Sequence, residues 1–312
     1  AAGADIWFNM DLAPSDEKIE YQSDINMTMG ADQTQMNFTW YYAGEAAGKV
    51  LLAKKDDLLD GEMPKGAQYF DAVATQAADG NYSNQATVTG LEKGTTYAYQ
   101  LVNGDSRSAV KTFKTDDGGS FSFAYVADPQ IGVSAVPTDA GYWEKTLKKI
   151  DTNANFSDVS FLLMAGDQVD TPSVNAETES EYGGLLNHDT LRSLPVVPVI
   201  GNHDDVALFG EHFKLPNESA DYGKTKAGGD AYFVYNNVLF MVLNSNDRSA
   251  AEHEAFMKAA IEATKNQDIQ WKVVTMHHSL YSKVNKGADN QMDRQGIRTT
   301  MIPVFERQGV DV

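Results

Sequence analysis

The sequence predicts two domains of different class. An all-β sandwich covers residues 21–117 and an α/β domain covers residues 118–312, behind an N-terminal extension of residues 1–20 that carries little signal. Three observations predict this. Short alternating stretches fill the first part, separated by Gly, Asn and Asp clusters. In the second part apolar runs alternate with helical patterns. Several of those apolar runs stop abruptly at residues bearing oxygen or imidazole donors.

In the first domain, Ile25 to Met29 alternates, Gly30-Ala31-Asp32 turns, and Met36 to Tyr42 alternates again with aromatics. Further strands are expected at Val50 to Ala53, Gln68 to Thr75, Gln85 to Thr89, Thr96 to Val102 and Ala109 to Thr115. Short strands at this spacing predict a β-sandwich. The stretch Gly90-Leu91-Glu92-Lys93-Gly94-Thr95-Thr96-Tyr97 resembles the fibronectin type III corner, where a leucine plugs the sandwich end and a tyrosine hydroxyl bonds back to the backbone. Trp40 is the expected core aromatic. Asn37-Phe38-Thr39 and Asn81-Tyr82-Ser83 match the glycosylation pattern, a weak signal. The domain has no cluster of titratable groups, so it reads as support or as substrate rim.

Asp116-Asp117-Gly118-Gly119-Ser120 marks the domain boundary. Beyond it, Thr138 or Asp139 is expected to cap a helix carrying Trp143, Leu147 and Ile150 on one face. A mixed helical stretch, Glu177 to Leu194, is expected to break at Gly183-Gly184. Tyr232 to Tyr235 and Val238 to Leu243 flank Asn236-Asn237 as a hairpin. An amphipathic helix, Glu252 to Lys265, turns Phe256, Met257, Ala260 and Ile261 inward. A last helix around Ile297, Met301, Val304 and Phe305 should be kinked or divided by Pro303, and Val310-Asp311-Val312 starts another strand.

The 312 residues carry a net charge of −19, which argues against non-specific nucleic-acid binding and would repel an anionic substrate unless bound cations reverse the field locally. No apolar run is long enough to span a membrane. There are no cysteines, which excludes disulfides, thiolate zinc sites and cysteine nucleophiles. The start Ala1-Ala2-Gly3-Ala4-Asp5 fits a removed export signal, hence a secreted, cell-surface or periplasmic protein; a cloning remnant fits the same residues. A homodimer is allowed, with no interface legible.

The chemistry lies at four strand ends. Phe121 to Ala127 ends in Asp128-Pro129-Gln130, and Val159 to Ala165 ends in Gly166-Asp167-Gln168-Val169-Asp170. Val196 to Ile200 ends in Gly201-Asn202-His203-Asp204, and Trp271 to Met276 ends in His277-His278. Asp128 and Asp167 are hard anionic donors, Asn202 offers a neutral carbonyl oxygen and His277 an imidazole nitrogen. That mixture suits Mn, Fe or Zn better than Ca. Two such cations about 3.5–4 Å apart can polarise a phosphoryl group and acidify a water. His203 can face the substrate and protonate a leaving oxygen. Each piece alone is common; an Asp at a strand end is usually a turn residue. The order and spacing of all four carry the signal.

On these motifs, residues 118–312 resemble a calcineurin-like metallophosphoesterase, and the preceding sandwich resembles the N-terminal domain of the purple acid phosphatase group. The resemblance implies two stacked β-sheets flanked by helices and a dinuclear centre of divalent or mixed-valence transition metals, Fe, Mn or Zn. It implies that Asp128 binds the first metal, Asp167 bridges both, and Asn202 and His277 bind the second. It makes His203 the proton donor, with Asp204 and Asp170 orienting the loops. Three departures stand out. Gln130 replaces the family's histidine, as a neutral metal ligand or an outer support. Asp170 stands where purple enzymes have a tyrosine, so their charge-transfer colour should be absent. The family's final Gly-His-x-His follows a helix and strand like Phe305 to Val312, where this sequence stops, so a C-terminally incomplete catalytic domain is expected.

The function this implies is phosphoester hydrolysis by a metal-activated hydroxide, with an acid phosphatase-like phosphomonoesterase first and a phosphodiesterase or nucleotidase as the alternative. From another class, a non-catalytic surface or phosphate-binding module fits Gln130 and the absent final histidines. The partner is a phosphorylated small molecule, with Tyr142, Tyr182, His188 and Tyr281 expected at the substrate rim.

Overall fold

The structure, a computed structural model, describes residues 21–45, 47–78, 80–153, 159–281 and 297–312. The expected extension at residues 1–20 lies outside the described residues.

The first part folds as two facing sheets. Strands β1 (Gln22–Met29), β2 (Gln35–Tyr42), β6 (Tyr82–Thr89) and β5 (Val73–Gln76) pair antiparallel in that order. Against them stand β4 (Gln68–Asp71), β3 (Lys49–Lys54), β7 (Thr96–Asn103) and β8 (Ser106–Arg107), with β9 (Lys111–Lys114) also on β7. Alternating apolar residues fill the space between, including Phe38, Trp40, Val50, Val88, Tyr99 and Phe113. Leu91 is buried at the sandwich end, and the Tyr97 hydroxyl accepts a hydrogen bond from the Glu92 backbone N–H at 2.9 Å. Two expectations need correction. Gln68 to Thr75 is not one strand, because the chain crosses between the sheets at buried Ala72. Asn37 is buried in β2 and donates to Met29 O at 2.9 Å, so it is no glycosylation site in the folded chain.

The second part begins with β10 (Ser122–Val126), β11 (Val159–Met164) and β12 (Val196–Pro198), all parallel. This sheet does not stop at the boundary read from the sequence. Strand β1 pairs in parallel with β12 at Thr28 and Val196, so one seven-stranded sheet runs from β10 through β1 into the sandwich. A second sheet joins β13 (Ala231–Tyr235) and β14 (Val238–Leu243) as a hairpin, with β15 (Trp271–Met276) parallel to β14. The two sheets stack through aromatics: Phe161 of β11 meets Phe240 of β14 edge-on at 5.6 Å. Asp311 N donates to Lys272 O and Val274 N to Val312 O, both at 2.8 Å, so the last residues align beside β15.

Helices cover the outer faces. Helix α1 (Val136–Thr152) starts earlier than expected, after Ala135, with Pro137 in its first turn. Asp139 is therefore inside the helix, and its carboxylate accepts from Ser134 N at 2.9 Å and Gly132 N at 3.2 Å. Helix α2 (Ala176–Leu186) runs straight through Gly183-Gly184. A side chain at Gly184 would press on Val136 and Ile131, so this glycine serves close packing of α1 on α2 and does not break the helix. Helices α3 (Ala207–His212), α4 (Ala250–Ala263) and α5 (Ile297–Gln308) follow. Pro303 does not divide α5; buried Met301 and Val304, and Arg307 bonded to Glu254 at 2.8 Å, hold that helix on α4.

Candidate metal centre

The site forms where the strand ends of the two sheets meet. Asp128 and Gln130 after β10, and Asp167 after β11, all take left-handed backbone conformations with φ of 53°, 38° and 51°. Such values are unusual outside glycine, tolerated best by Asp and Asn, and concentrated at functional loops. They let the two loops zip together. Asp128 N donates to Gly166 O at 3.1 Å, Gln130 N to Asp167 O at 3.0 Å, and Ile131 N to Gln168 O at 3.2 Å. Gln130 thus joins the loop through its backbone.

Glycine makes the remaining approaches feasible. A Cβ on Gly201 would overlap the backbone nitrogen and carboxylate of Asp167. One on Gly166, where φ is +99°, would overlap the His277 ring. With neither present, ligand atoms of Asp128, Asp167 and His277 all lie within 4.8 Å of one another. His277 Nε2 is 3.3 Å from Asp167 Oδ2 and 3.2 Å from Asn202 Oδ1. Two ligands about 2.1 Å from a cation and at a tetrahedral angle are about 3.4 Å apart. The donor set therefore fits a first-row transition metal. The other ring nitrogen, Nδ1, lies 2.9 Å from Ala165 O. A proton held there leaves the Nε2 lone pair for a metal, the usual arrangement of a metal-binding histidine.

The neighbouring acids dominate the electrostatics of the site. Burial works against a charged His277, yet the Asp167 carboxylate beside it pushes its pKa up to about 9. Asp167 shifts the opposite way: burial raises it, but His277 and the His203 N–H lower it further, so it stays ionised. Burial pushes Asp204 up to about 7, although it accepts from Gly201 N at 2.9 Å and Gln168 N at 3.0 Å. Those bonds pin the second and third loops together. His278 is buried, and burial, then Arg248, then His277 push its pKa down to about 3.

His203 stands at the opening, partly exposed. Its backbone N–H donates to Asp167 Oδ1 at 2.9 Å, its Nδ1 contacts Asp170 O, and its Nε2 lies 4.0 Å from Asp167 Oδ2. Asp170 is held in turn by Glu181 of α2, which accepts from Asp170 N at 3.2 Å, Thr171 N at 2.9 Å and Thr171 Oγ1 at 2.7 Å. Glu181 was not legible as a site residue; a buried glutamate in a helix of mixed pattern gives no signal until its partners are seen. Asn246, which donates to Gly201 O at 2.9 Å, escaped for the same reason.

The expected rim divides. Tyr142 is exposed on α1 and, with Asp128, lines a cleft of about 420 Å³. Tyr281 is exposed near the end of the His277 loop. Tyr182 is fully buried and stacks on His212, ring centroids 4.1 Å apart, so it is a core residue. His188 follows the C-terminal end of α2, its ring on Gly184 O at 2.8 Å, while the loop carrying Asp167 and Asp170 feeds the opposite end.

Carboxylates, an amide and an imidazole thus converge at the strand ends of stacked sheets, a donor set able to hold a metal ion. The chain belongs to the calcineurin-like phosphoesterase family, whose match covers residues 121–312, and residues 22–115 match the purple acid phosphatase N-terminal domain. Among solved structures, purple acid phosphatase PPD1 from yellow lupin (Lupinus luteus) seeds is similar at 13% identity and a TM-score of 0.70, over 94% of this chain and 57% of that one. PhoD is similar at 12% identity and a TM-score of 0.61, over 93% of this chain and 70% of that one. The likeness to both is one of fold, and the chain spans little more than half of the lupin protein. No curated protein matches. Among the described residues no helix is long and apolar enough to cross a membrane.

Proposed function

We propose that this site binds two divalent transition metals, of the Mn, Fe or Zn kind, and hydrolyses phosphomonoesters. The observation that carries the reading is the convergence of Asp128, Asp167, Asn202 and His277, with His277 Nδ1 on Ala165 O and Nε2 turned to the acids. Asp128, Asp167, Asn202 and His277 would hold the metals, Asp167 between them. When bound, the metals polarise the phosphoryl group and acidify the attacking water. Asp167 stays ionised for its part, and Asp204 holds the loops in register. His203, its Nδ1 on the Asp170 carbonyl, presents Nε2 where a leaving oxygen needs a proton. Gln130 is read as an outer support. The sandwich, with its tyrosine bonded back at Glu92 N, is read as a fibronectin III-like support.

Metal content per chain is the first test, followed by turnover on a panel of monoesters, diesters and nucleotides. Two metals per chain with monoesters turned over fastest is the expected result. Preferred turnover of diesters or nucleotides would reassign the substrate. Metal and phosphate bound without turnover of any substrate would support the non-catalytic phosphate-binding module instead. An absorption spectrum of the iron-loaded protein without tyrosinate charge transfer is also expected, since Asp170 stands three residues after Asp167.

A further inference from the structure

The two ligands read as holding the second metal come from different sheets. Asn202 follows β12 of the seven-stranded sheet and His277 follows β15 of the other, yet Asn202 Oδ1 and His277 Nε2 stand 3.2 Å apart. One short loop, Asn244 to Ser249 between β14 and α4, holds the backbone beside both. Asn246 Nδ2 donates to Gly201 O at 2.9 Å, one residue before Asn202. Ser245 Oγ accepts from His278 N at 3.1 Å, one residue after His277, and lies 2.8 Å from His278 Nδ1.

Arg248 Nη2 lies 3.2 Å from His278 Nε2. A guanidinium only donates, so Nε2 accepts, the ring proton sits on Nδ1, and Ser245 Oγ accepts from the ring as well as from the backbone. His278, and with it the peptide it shares with His277, is fixed at two points. The loop is itself anchored from beneath. Asn244 N donates to Asp230 Oδ1 at 2.8 Å, Asp230 Oδ2 is 2.7 Å from His253 Nδ1, and His253 Nε2 is 3.2 Å from Asp247 O. Asn244 Oδ1 accepts from Asn246 N at 3.2 Å and from Asn246 Nδ2 at 3.1 Å, which aims that amide at Gly201. Asp230, Asn244, Ser245 and His253 are all buried. Burying so many polar side chains costs stability unless each is partnered, and a connection of this length needs none of them to close.

We propose that Ser245 and Asn246 are positioning residues for the Asn202–His277 pair, a bracket across the two sheets that sets the affinity of the metal this pair holds. Each acts through the peptide next to a ligand, and a ligand displaced by more than about 0.5 Å no longer meets the cation well. The inference rests on the metal-centre reading under the proposed function.

The test titrates Mn²⁺ into the 312-residue chain, read by calorimetry and by the paramagnetic resonance of the bound ion. Asn202→Ala and Asp128→Ala first assign the two sites, by which one each removes. Asn246→Ala and Ser245→Ala should then weaken the site that depends on Asn202 by about ten- to a hundredfold and alter the resonance of the ion left there. The site that depends on Asp128 should keep its affinity. Wild-type affinity at the Asn202-dependent site in either loop variant overturns the inference and leaves the proposed function standing, and so does an equal loss at both sites, the mark of a general loosening. Asn246 is only half-buried, so its variant decides the matter even where Ser245→Ala fails to fold. A single site that depends on Asn202 removes the second metal from the proposed function, and the same two variants decide the inference on it. A wild-type chain that binds no manganese, or binds it without dependence on Asn202, refutes the metal reading and the inference together.

Discussion

His212 of α3 and Asp24 of β1 meet across the joint between the two domains, with Nε2 3.5 Å from Oδ2. Glu179 of α2 lies 3.4 Å from the same nitrogen, and Nδ1 is 2.9 Å from Leu208 O. The imidazole is fully buried between the rings of Tyr41 and Tyr182, at 4.5 and 4.1 Å. Both ring nitrogens face oxygens, so the geometry calls for imidazolium.

Stability should therefore depend on pH through this residue. Burial lowers the His212 pKa, but Asp24 and then Glu179 more than reverse that, and the net shift is upward. The groups facing the ring are Asp24 from β1, Tyr41 from β2 and Glu179 and Tyr182 from α2, with Glu211 of α3 3.3 Å from the Tyr41 hydroxyl. A raised folded pKa gives stability present in full below about pH 6.5 and lost as pH rises through the folded value. His212→Gln should remove that component and cost roughly 3–5 kcal/mol, because Asp24 and Glu179 lose their cation. Urea unfolding between pH 6 and 9 checks it; an unchanged pH profile in His212→Gln would count against the imidazolium.

The two site glycines give a second expectation. Gly201→Ala would drive a methyl into the Asp167 backbone, which cannot rotate away, and Gly166→Ala would drive one into His277 at a φ of +99°. Both should weaken metal retention by roughly ten- to a hundredfold, as disturbance of ligand-orienting neighbours does. Gly66→Ala, which meets nothing within 4 Å, is the control. Metal content after dialysis against a weak chelator reads the difference, and three equal values would dismiss the argument.

Much of this site was legible because each ligand follows an apolar run, and a buried strand that ends at Gly-Asp or Gly-Asn can only deliver those side chains at a sheet edge. The same logic gave β14 and β15 their bounds, Val238–Leu243 and Trp271–Met276. What was not legible depends on distant partners. Tyr182 has the composition of a rim residue, and only α3 arriving beneath it makes it core. Ala72 marks a crossing between sheets because β3 and β6 claim its two sides. The pairing of Thr28 with Val196 joins strands 168 residues apart and leaves no periodic trace.

Glu181 is the buried support that sequence patterning missed, and its variants should separate by hydrogen-bond logic. Glu181→Ala abandons Asp170 N, Thr171 N and Thr171 Oγ1, which costs about 1–3 kcal/mol and loosens the Asp170 carbonyl under His203. Glu181→Gln can keep its oxygen on the two backbone donors and turn its amide to Thr171 Oγ1, which rotates to accept. The alanine variant should melt lower than the glutamine variant; equal melting points would mean the loop is held by other contacts.

His203 carries the sharpest kinetic expectation. Its Nδ1 is engaged by Asp170 O and its backbone N–H by Asp167 Oδ1 at 2.9 Å, so the ring is oriented from behind, with Nε2 4.0 Å from Asp167 Oδ2. If Nε2 protonates the leaving oxygen, the need for it scales with the basicity of that oxygen. His203→Ala should therefore cut turnover of alkyl phosphates by roughly 10²–10⁴-fold and that of nitrophenyl phosphate by much less, since a nitrophenolate leaves without a proton. Metal content should not change, because the ring is not among the ligands in this reading and its Nε2 stands 4.0 Å from Asp167 Oδ2. An equal loss on both substrates with metal retained would move His203 from proton donor to phosphate-binding residue, and a loss of metal would make it a ligand.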